Sequence, residues 1–354
     1  MFRRWFGASR FVFNKTVEYL KQPGTKANWM EIKLWLLKEL PDWAQEIPFQ
    51  IKGTAIRDAC LAVKAAKTKF KQTGKPQHVD FRSRKDPDQT IFIPQTAVRK
   101  GSVYRTLTGD LHSSELIENV EHDCRLLRQS GRYFLTIPQE REILVPENQR
   151  AGIVALDPGV RSFLTFYSET ETGKIGEKDF GNIVRLCHYL DQLMSKISKA
   201  KGEQKRRMKK ASERIRWRIK DLVSEIHHKA ATWLCKSFDV VVIPPFETSQ
   251  MVSKLRSKTA RAMLTWAHFR FRQILDNTAE IFSTQVVEQN EAYTSKTCSA
   301  CGQVHNIGSK KTMVCSCGLT MDRDINGARG IFLRALGDSP LLKSHLQYAF
   351  VDES

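Results

Sequence analysis

Apolar residues recur at helical spacing from Phe2 to about Phe70, in "WFGASRFVFNKTVEYL", "EIKLWLLKEL" and "AIRDACLAVKAAKTKF". The pattern predicts a helical module punctuated at Pro23-Gly24, Pro41 and Pro48. From Lys75 to about Pro146 the period shortens. "TIFIP", "SVYRTL" and "CRLLRQSGRYFLTIP" predict short strands, the last a hairpin turning at Ser130-Gly131. After Ala151, "GIVALDPGV", "SFLTFYS" and "KIGEKDF" predict three consecutive antiparallel strands. A long helical region follows from about Asn182 to Ser237, then a buried strand in "DVVVIPPFE". An amphipathic helix through Met263, Trp266, Phe271, Ile274, Thr278 and Phe282 leads to a strand in "STQVVEQNE" and a final helix in "DINGARGIFLRAL".

Charge adds a partner to this picture. The 354 residues carry 57 Lys+Arg against 38 Asp+Glu, a formal charge of +19 that exceeds what solubility needs and points to a polyanion, nucleic acid first. A membrane surface would attract the same charge. No apolar run approaches the roughly 18 residues of a spanning helix, and no signal-peptide layout opens the chain, so an intracellular protein is expected. The basic run "KISKAKGEQKRRMKKASERIRWRIK" concentrates Lys205, Arg206, Arg207, Lys209 and Lys210 against Glu203 and Glu213. It reads equally as the solvated face of a helical hairpin and as a phosphate-tracking surface.

Of eight cysteines, Cys60, Cys124, Cys187 and Cys235 are scattered among apolar neighbours and read as small hydrophobes. Cys298, Cys301, Cys315 and Cys317 are clustered, as CxxC and CxC knuckles thirteen residues apart. Four thiolates at this spacing predict a structural zinc ribbon, with Gly302 relieving the backbone after the second ligand and His305 as a substitute ligand. Lys310 and Lys311, between the knuckles, are expected to touch nucleic acid.

Three strands, helix, strand, helix, strand, helix is the element order of the RNase H fold, an α/β layer architecture. Asp157 ends its first strand and Asp324 begins its last helix. Alone, Asp157-Pro158-Gly159 is an ordinary turn and Asp324 an ordinary helix cap. Together, at corresponding ends of that element order, they become candidate carboxylates for two divalent ions across a scissile phosphodiester. A third acid is needed. Pro244 and Pro245 occupy the end of "DVVVI", which leaves Glu247 and Glu291 as candidates.

With these residues in view the chain resembles the TnpB and Fanzor proteins, transposon-encoded RNA-guided DNA endonucleases related to the type V CRISPR effectors. "ALDPGV", "YTSKTCSACG" and "DRDINGARGIF" resemble the first RuvC motif, the zinc-knuckle motif and the last RuvC motif of that family. "IPPFETSQM", "TARAMLTWAHFRFRQIL", "NEAYTSK" and "NGARGI" are closer in wording to the Fanzor branch, "GASRFVFNKTVEYL" to the family's amino-terminal helix and "DFRSRKDPDQTIFI" to its β-module.

The resemblance implies an RNase H-like (RuvC) domain with an inserted zinc ribbon, behind a helical module and a small β-module. Its domains would be a helical recognition module (1–74), a wedge-like β-module that binds nucleic acid (75–150), the nuclease domain in two parts (151–296 and 321–337) around the ribbon (297–320), and a tail (338–354). It makes Asp157 and Asp324 the first and last catalytic acids and favours Glu291 over Glu247 for the middle one. Asp322 becomes a neighbour, and Arg323 and Arg329 approach phosphate. The implied activity is RNA-guided cleavage of double-stranded DNA beside a short flanking motif, with two magnesium ions, one structural zinc and a guide RNA from the transposon end. The alternatives are a nuclease-inactive RNA-guided DNA-binding protein and a transposase accessory protein that acts without RNA. A monomer with RNA is expected, nuclear in a eukaryotic host and cytoplasmic in a prokaryotic one. Two departures stand out: the family's usual second CxxC is CxC here, and relatives carry a further strand ahead of the segment matching "RRWFGASRFVF", so an incomplete β-module is expected.

Overall fold

A computed structural model describes residues 1–117, 120–144, 150–245, 257–290, 294, 296–308, 310–340 and 342. The chain divides into two compact units, Met1–Glu140 and Arg141–Ser354.

In the first unit, helix α1 (Phe2–Leu20) buries Trp5, Phe6, Val12, Phe13 and Val17 along one stripe, the pattern an amphipathic helix needs to bind a core. That stripe packs on α4 (Phe49–Thr73), which follows α2 (Trp29–Leu36) and the single turn α3 (Asp42–Gln45). Local chemistry sets the ends. The Asn28 side chain accepts a hydrogen bond from the Met30 N–H to start α2, and Gly74, with φ of +67°, closes α4 in the left-handed conformation. Strands β1 (Asp88–Ile93), β4 (Cys124–Gln129) and β5 (Arg132–Thr136) form an antiparallel sheet whose Ile91, Ile93, Cys124 and Leu126 join the helical core. The β4–β5 hairpin turns at Ser130 and Gly131, both with positive φ as a primed two-residue turn requires.

The segment "SVYRTL" departs from the strand expectation. Only β2 (Val98–Arg99) and β3 (Ser102–Val103) pair, and Tyr104 then turns the chain into the short helix α5 (Arg105–Thr108). The reason is local: Ser102 Oγ donates to the Gly109 carbonyl and accepts from the Leu111 N–H, folding the segment back on itself.

The second unit contains a five-stranded sheet in the order β10-β9-β6-β7-β8. Strands β6 (Ala151–Pro158), β7 (Leu164–Ser168) and β8 (Thr172–Ile175) are consecutive and antiparallel, as expected, but the third lies earlier than "KIGEKDF": only Lys174 and Ile175 of that stretch are in the strand, and a helix begins at Glu177 with Gly176 (φ of +77°) before it. Helices α6 (Glu177–Lys199) and α7 (Gly202–Ser237) then lead to β9 (Phe238–Ile243), which pairs parallel to β6. Helices α8 (Ser257–Trp266) and α9 (His268–Phe282) precede β10 (Gln285–Glu288), parallel to β9. A small hairpin of β11 (Thr312–Val314) and β12 (Thr320–Asp322) delivers the chain to α10 (Arg323–Asp338).

Strand parity assigns the two faces of this sheet. Val154, Leu156, Val241 and Ile243 share a core with α7 and α9, whereas Ile153, Ala155, Val240 and Val242 pack against Ile331, Phe332 and Ala335 of α10. Successive side chains alternate faces, so Asp157 falls on the α10 side. The long helical region divides in two, as the hairpin reading of its basic run expects, and one expected helix is split. The region from Asn182 to Ser237 breaks between α6 and α7, where Ala200 and Lys201 are extended. The amphipathic helix breaks at Ala267, which has φ of +49°. Apolar periodicity runs through that break because Trp266, Phe271 and Leu275 all enter one core. Among the described residues no helix is long and apolar enough to cross a membrane.

Candidate functional site

Register builds one side of the site. Asp157 of β6 is paired with Thr165 of β7, which is paired with Lys174 of β8. Directly opposed residues share a face, so a carboxylate, a hydroxyl and an ammonium form one row across three strands, on the side covered by α10. The Thr165 Oγ1 in the middle of that row is buried and has no hydrogen-bond partner among the described residues. Buried polar atoms are rarely left so, which marks the position as one where a further ligand or water belongs.

The turn after Asp157 is rigid. The Gly159 N–H donates to the Phe163 carbonyl at 3.2 Å, and a Cβ at Gly159 would stand 2.8 Å from the Ser162 carbonyl oxygen, so any larger residue would open the turn. Trp266 Nε1 donates to the Val160 carbonyl at 2.9 Å, and Phe163 stacks between the rings of His227 and His268. Burial pushes the two imidazoles down to about 4 and about 3, so both are neutral packing groups at ordinary pH.

The other side of the site comes from the start of α10. Asp322, not Asp324, caps the helix: its Oδ1 accepts from the N–H groups of Asp324 and Ile325 at 2.9 and 3.3 Å. Asp324 lies in the first turn with its side chain half exposed, free of the capping duty its position suggested. The Lys174 ammonium reaches Asp322 Oδ2 at 2.8 Å and Asp324 Oδ2 at 3.5 Å, so the strand row and the helix start meet around a single cation. Burial pushes the Asp322 carboxyl up, but Lys174 and the two backbone N–H groups outweigh it and hold the group below its usual 3.8. Glu291 and Glu247, the two candidates for a middle acid, both lie outside the described residues.

The four clustered cysteines converge. All four sulfurs lie within 4.8 Å of one another, with Cys298 and Cys317 Sγ 3.7 Å apart and Cys301 and Cys315 Sγ 3.5 Å apart. Thiolates at about 2.3 Å from a tetrahedral zinc stand about 3.8 Å from each other, so the donor set and its spacing fit that ion. The knuckles are alike despite their different spacing. Gly302 follows Cys301 with φ of +79° and Gly318 follows Cys317 with φ of +93°, each turning the chain directly after a ligand. The CxC bite therefore closes, and His305 is not needed as a substitute; its Nε2 sits 3.1 Å from Cys315 Sγ. Burial pushes the Cys298 thiol up, but the N–H groups of Cys301 and Ala300 outweigh it and bring the group to about 7, whereas at Cys301 and Cys317 a backbone N–H pulls down and the neighbouring sulfurs outweigh it, so that one thiolate forms readily and the others need a metal's charge.

The cysteine module is tied to α10 through Asn326, which sequence reasoning missed, and through Arg323, which the family resemblance put near phosphate. The fully buried Asn326 donates to the carbonyls of Thr294 and Thr297 and accepts from the Ser299 N–H at 3.1 Å. Arg323 Nη1 donates to the Gly308 carbonyl at 2.9 Å, so this arginine braces the module. Asn326-Gly327, two poor helix formers inside an apolar-periodic helix, was the available signal. Arg150 was also missed: it ion-pairs with Asp239 and donates to the Cys235 and Phe282 carbonyls and to Thr284, clamping β9 to the end of α9.

The remaining basic candidates are dispersed. Lys205, Arg206, Arg207, Lys209 and Lys210 all lie on α7, with Arg207 paired to Glu203 at 2.9 Å. Lys310 and Lys311 are exposed at the start of the β11 hairpin. Arg329 lies 5.9 Å over the Tyr167 ring, and its buried Nε has no hydrogen-bond partner among the described residues.

The family model "Cas12f1-like, TNB domain" matches residues 268–331, the span from the start of α9 through the cysteine module to most of α10. The chain is 29% identical over 260 residues to TnpB-like protein L79 of Acanthamoeba polyphaga mimivirus, which covers 68% of this chain and 48% of that protein. It thus spans about half the length of that viral relative. It is 26% identical over 365 aligned residues to "Putative RNA-guided DNA endonuclease InsQ" of Escherichia coli (strain K12), covering 93% of this chain and 87% of that one. Its likeness to the solved "CRISPR-Cas12f Ternary Complex" is distant, with a TM-score of 0.39 and 14% identity over 93% of this chain and 80% of that one. A chain with this match across α9, the cysteine module and α10, and with both viral and bacterial relatives of that kind, belongs to the TnpB family.

Proposed function

We propose that the protein is an RNA-guided, magnesium-dependent DNA endonuclease of RuvC-like (RNase H-like) fold. One observation carries the reading: the β6–β7–β8 register puts Asp157, Thr165 and Lys174 on the face covered by α10, and the first turn of that helix brings Asp324 to the same lysine. The relatives named as TnpB-like and as an RNA-guided DNA endonuclease support the same direction.

The residues fit a magnesium site. Carboxylates are the hard oxygen donors that ion takes, the acids at the start of α10 already hold one cation in Lys174, and the orphaned Thr165 hydroxyl lies between Lys174 and Asp157. Asp157 and Asp324, with Glu291 as the third acid and Glu247 as second choice, would hold it. Bound there, the metal supplies charge stabilisation at the phosphate and lowers the pKa of an attacking water. The chain's own residues do the rest. Gly159 and Trp266 fix the turn behind Asp157, Asp322 caps the first turn of α10, and Arg329 would donate to a phosphate oxygen. Cys298, Cys301, Cys315 and Cys317 would hold a structural zinc in a ribbon that braces the start of α10 through Asn326. Base pairing with a guide RNA would read the target, and the protein the short flanking motif.

The test is magnesium-dependent cleavage of a matched plasmid library by protein co-expressed with its transposon-end RNA. Wild type is compared with Asp157→Ala, Asp324→Ala, Glu291→Ala and Glu247→Ala. Cleavage lost in the first three and kept in Glu247→Ala supports the reading and its acid assignment. Guided binding by wild type with no cutting under any divalent ion overturns the endonuclease.

A further inference from the structure

The five-stranded sheet buries a hydroxyl that its packing does not use. Thr165 stands in the middle of the row of Asp157, Thr165 and Lys174 and is 1% exposed. Its Oγ1 has no hydrogen-bond partner among the described residues. Other buried hydroxyls behave differently. Those of Thr16, Ser102, Ser168, Ser212 and Thr284 each donate to a backbone carbonyl, which is how a buried polar group is normally satisfied. The surroundings of Thr165 offer it nothing comparable. Lys174 turns its ammonium to Asp322 and Asp324, and the same face of the sheet otherwise brings Ile153, Ala155 and Val242 against α10.

Valine would serve this strand as well as threonine does. It has the same branched shape and the same preference for strands, and it would take an unsatisfied donor and acceptor out of the interior. The hydroxyl therefore lowers stability where it stands, and its reason lies outside the packing of the chain. A second open polar atom is close by. Two residues further along β7, on the same face, Tyr167 lies under Arg329 at 5.9 Å, and the buried Arg329 Nε has no hydrogen-bond partner among the described residues either. Both atoms belong to the contact between β7 and α10, the two elements that meet beside the candidate acids.

Position and side-chain length together indicate what the hydroxyl is for. Thr165 is flanked by Asp157 on one side and, on the other, by the lysine that reaches Asp324, so it stands below the interval between the two acids. A threonine oxygen is one bond nearer its backbone than an aspartate oxygen. Oγ1 thus lies beneath the level of the Asp157 carboxylate, where water on an ion, rather than the ion itself, is the fitting partner. Magnesium held by carboxylates keeps several of its waters, and groups that hydrogen-bond a metal's ligands fix their orientation. We propose that Thr165 is a positioning residue of the nuclease site, its hydroxyl accepting a hydrogen bond from water on the ion that Asp157 and Asp324 would hold. The inference rests on the reading of those acids as a magnesium site.

The experiment compares wild type, Thr165→Val and Thr165→Ser. Each is used as the full chain, with its guide RNA for cleavage across a magnesium titration, and without RNA or divalent ions for thermal melting. Thr165→Val should melt a few degrees above wild type, since an unsatisfied hydroxyl has been removed, yet need about tenfold or more magnesium for half-maximal cleavage. Thr165→Ser keeps the hydroxyl and loses a buried methyl group and strand preference. It should melt below wild type and keep the wild-type magnesium dependence. Stability and activity then move in opposite directions in the two variants, which a residue that merely packs would not produce. Thr165→Val with the magnesium dependence of wild type overturns the inference and leaves the nuclease reading intact. So does Thr165→Val that melts below wild type, or Thr165→Ser that loses cleavage as fully as the valine variant. Wild type that cuts under no divalent ion overturns both.

Discussion

Two donor clusters flank the start of α10, and they are built in opposite ways. The four cysteines come from twenty consecutive residues, 298–317, and their sulfurs already stand at ligand spacing. The acids come from strands and a helix separated by more than a hundred and fifty residues of chain, and a lysine bridges two of them. Cys298 and Cys315 are buried and Cys301 and Cys317 exposed, while the Asp324 side chain is half exposed, so it is the number of donors rather than burial that closes the sulfur set. A closed set of sulfur donors suits a permanent structural ion, and an open set of carboxylates suits ions that accompany a substrate.

The largest effect that would break this contrast concerns the cysteines. Cys315→Ser, or metal removal by a strong chelator, should cost on the order of 10 kcal/mol of metal-linked folding energy in this module. Hydrogen exchange should then show protection lost from Thr297 to Asp322 and kept in β6 to β9. Unchanged protection would reduce the cluster to four packed thiols. Next comes the acidic side. Asp157→Ala or Asp324→Ala should lower cleavage by more than about 100-fold, the loss that removing a residue behind a metal ligand can already cause, while the melting temperature stays near that of wild type.

Asn326→Ala tests the joint between the clusters. It leaves the Ser299 N–H and two carbonyls without their partner, which should cost about 1–3 kcal/mol in a denaturant titration. An effect confined to stability, with no loss of cleavage under folding conditions, would separate the cysteine module from the site. Lys174→Met is smaller. Removing an ammonium that competes for Asp324 should lower the magnesium concentration for half-maximal cleavage a few-fold, and a rise would show that Lys174 positions the acid instead.

The smallest effect is on pH. Asp322 sits below its usual 3.8, so its contribution is present above about pH 4 and is lost as pH falls through the depressed value. Burial pulls Lys174 down, but Asp322 and Asp324 outweigh it and raise the group above 10.5, so its share is present below that value and is lost as pH rises through the raised one. Lys174→Met should therefore flatten the acid limb of the stability profile and leave the range between these values level.

Much of the chain was legible because its signals are local. The turn at Ser130-Gly131, the three strands after Ala151 and the CxxC knuckle each need only a few neighbouring residues to act together. Asp322 shows the limit. Sequence spacing made Asp324 the natural cap, and the choice between two acids two residues apart was settled by where β12 ends and α10 begins. The split at Ala267 was hidden for the opposite reason, since apolar periodicity persists wherever both pieces bury one face in the same core.

The sequence by itself determined the positive charge, the four-thiol donor set, and the acids at a strand end and a helix start, because these are fixed by residue type and by chain connectivity over a few bonds. Only the tertiary structure decided that Lys174 stands in the row of Asp157 and reaches Asp324, and that Arg150 is a clamp. Those meetings depend on strand register and helix packing, which are the sum of many weak contacts between segments far apart in the chain, and no single residue announces them.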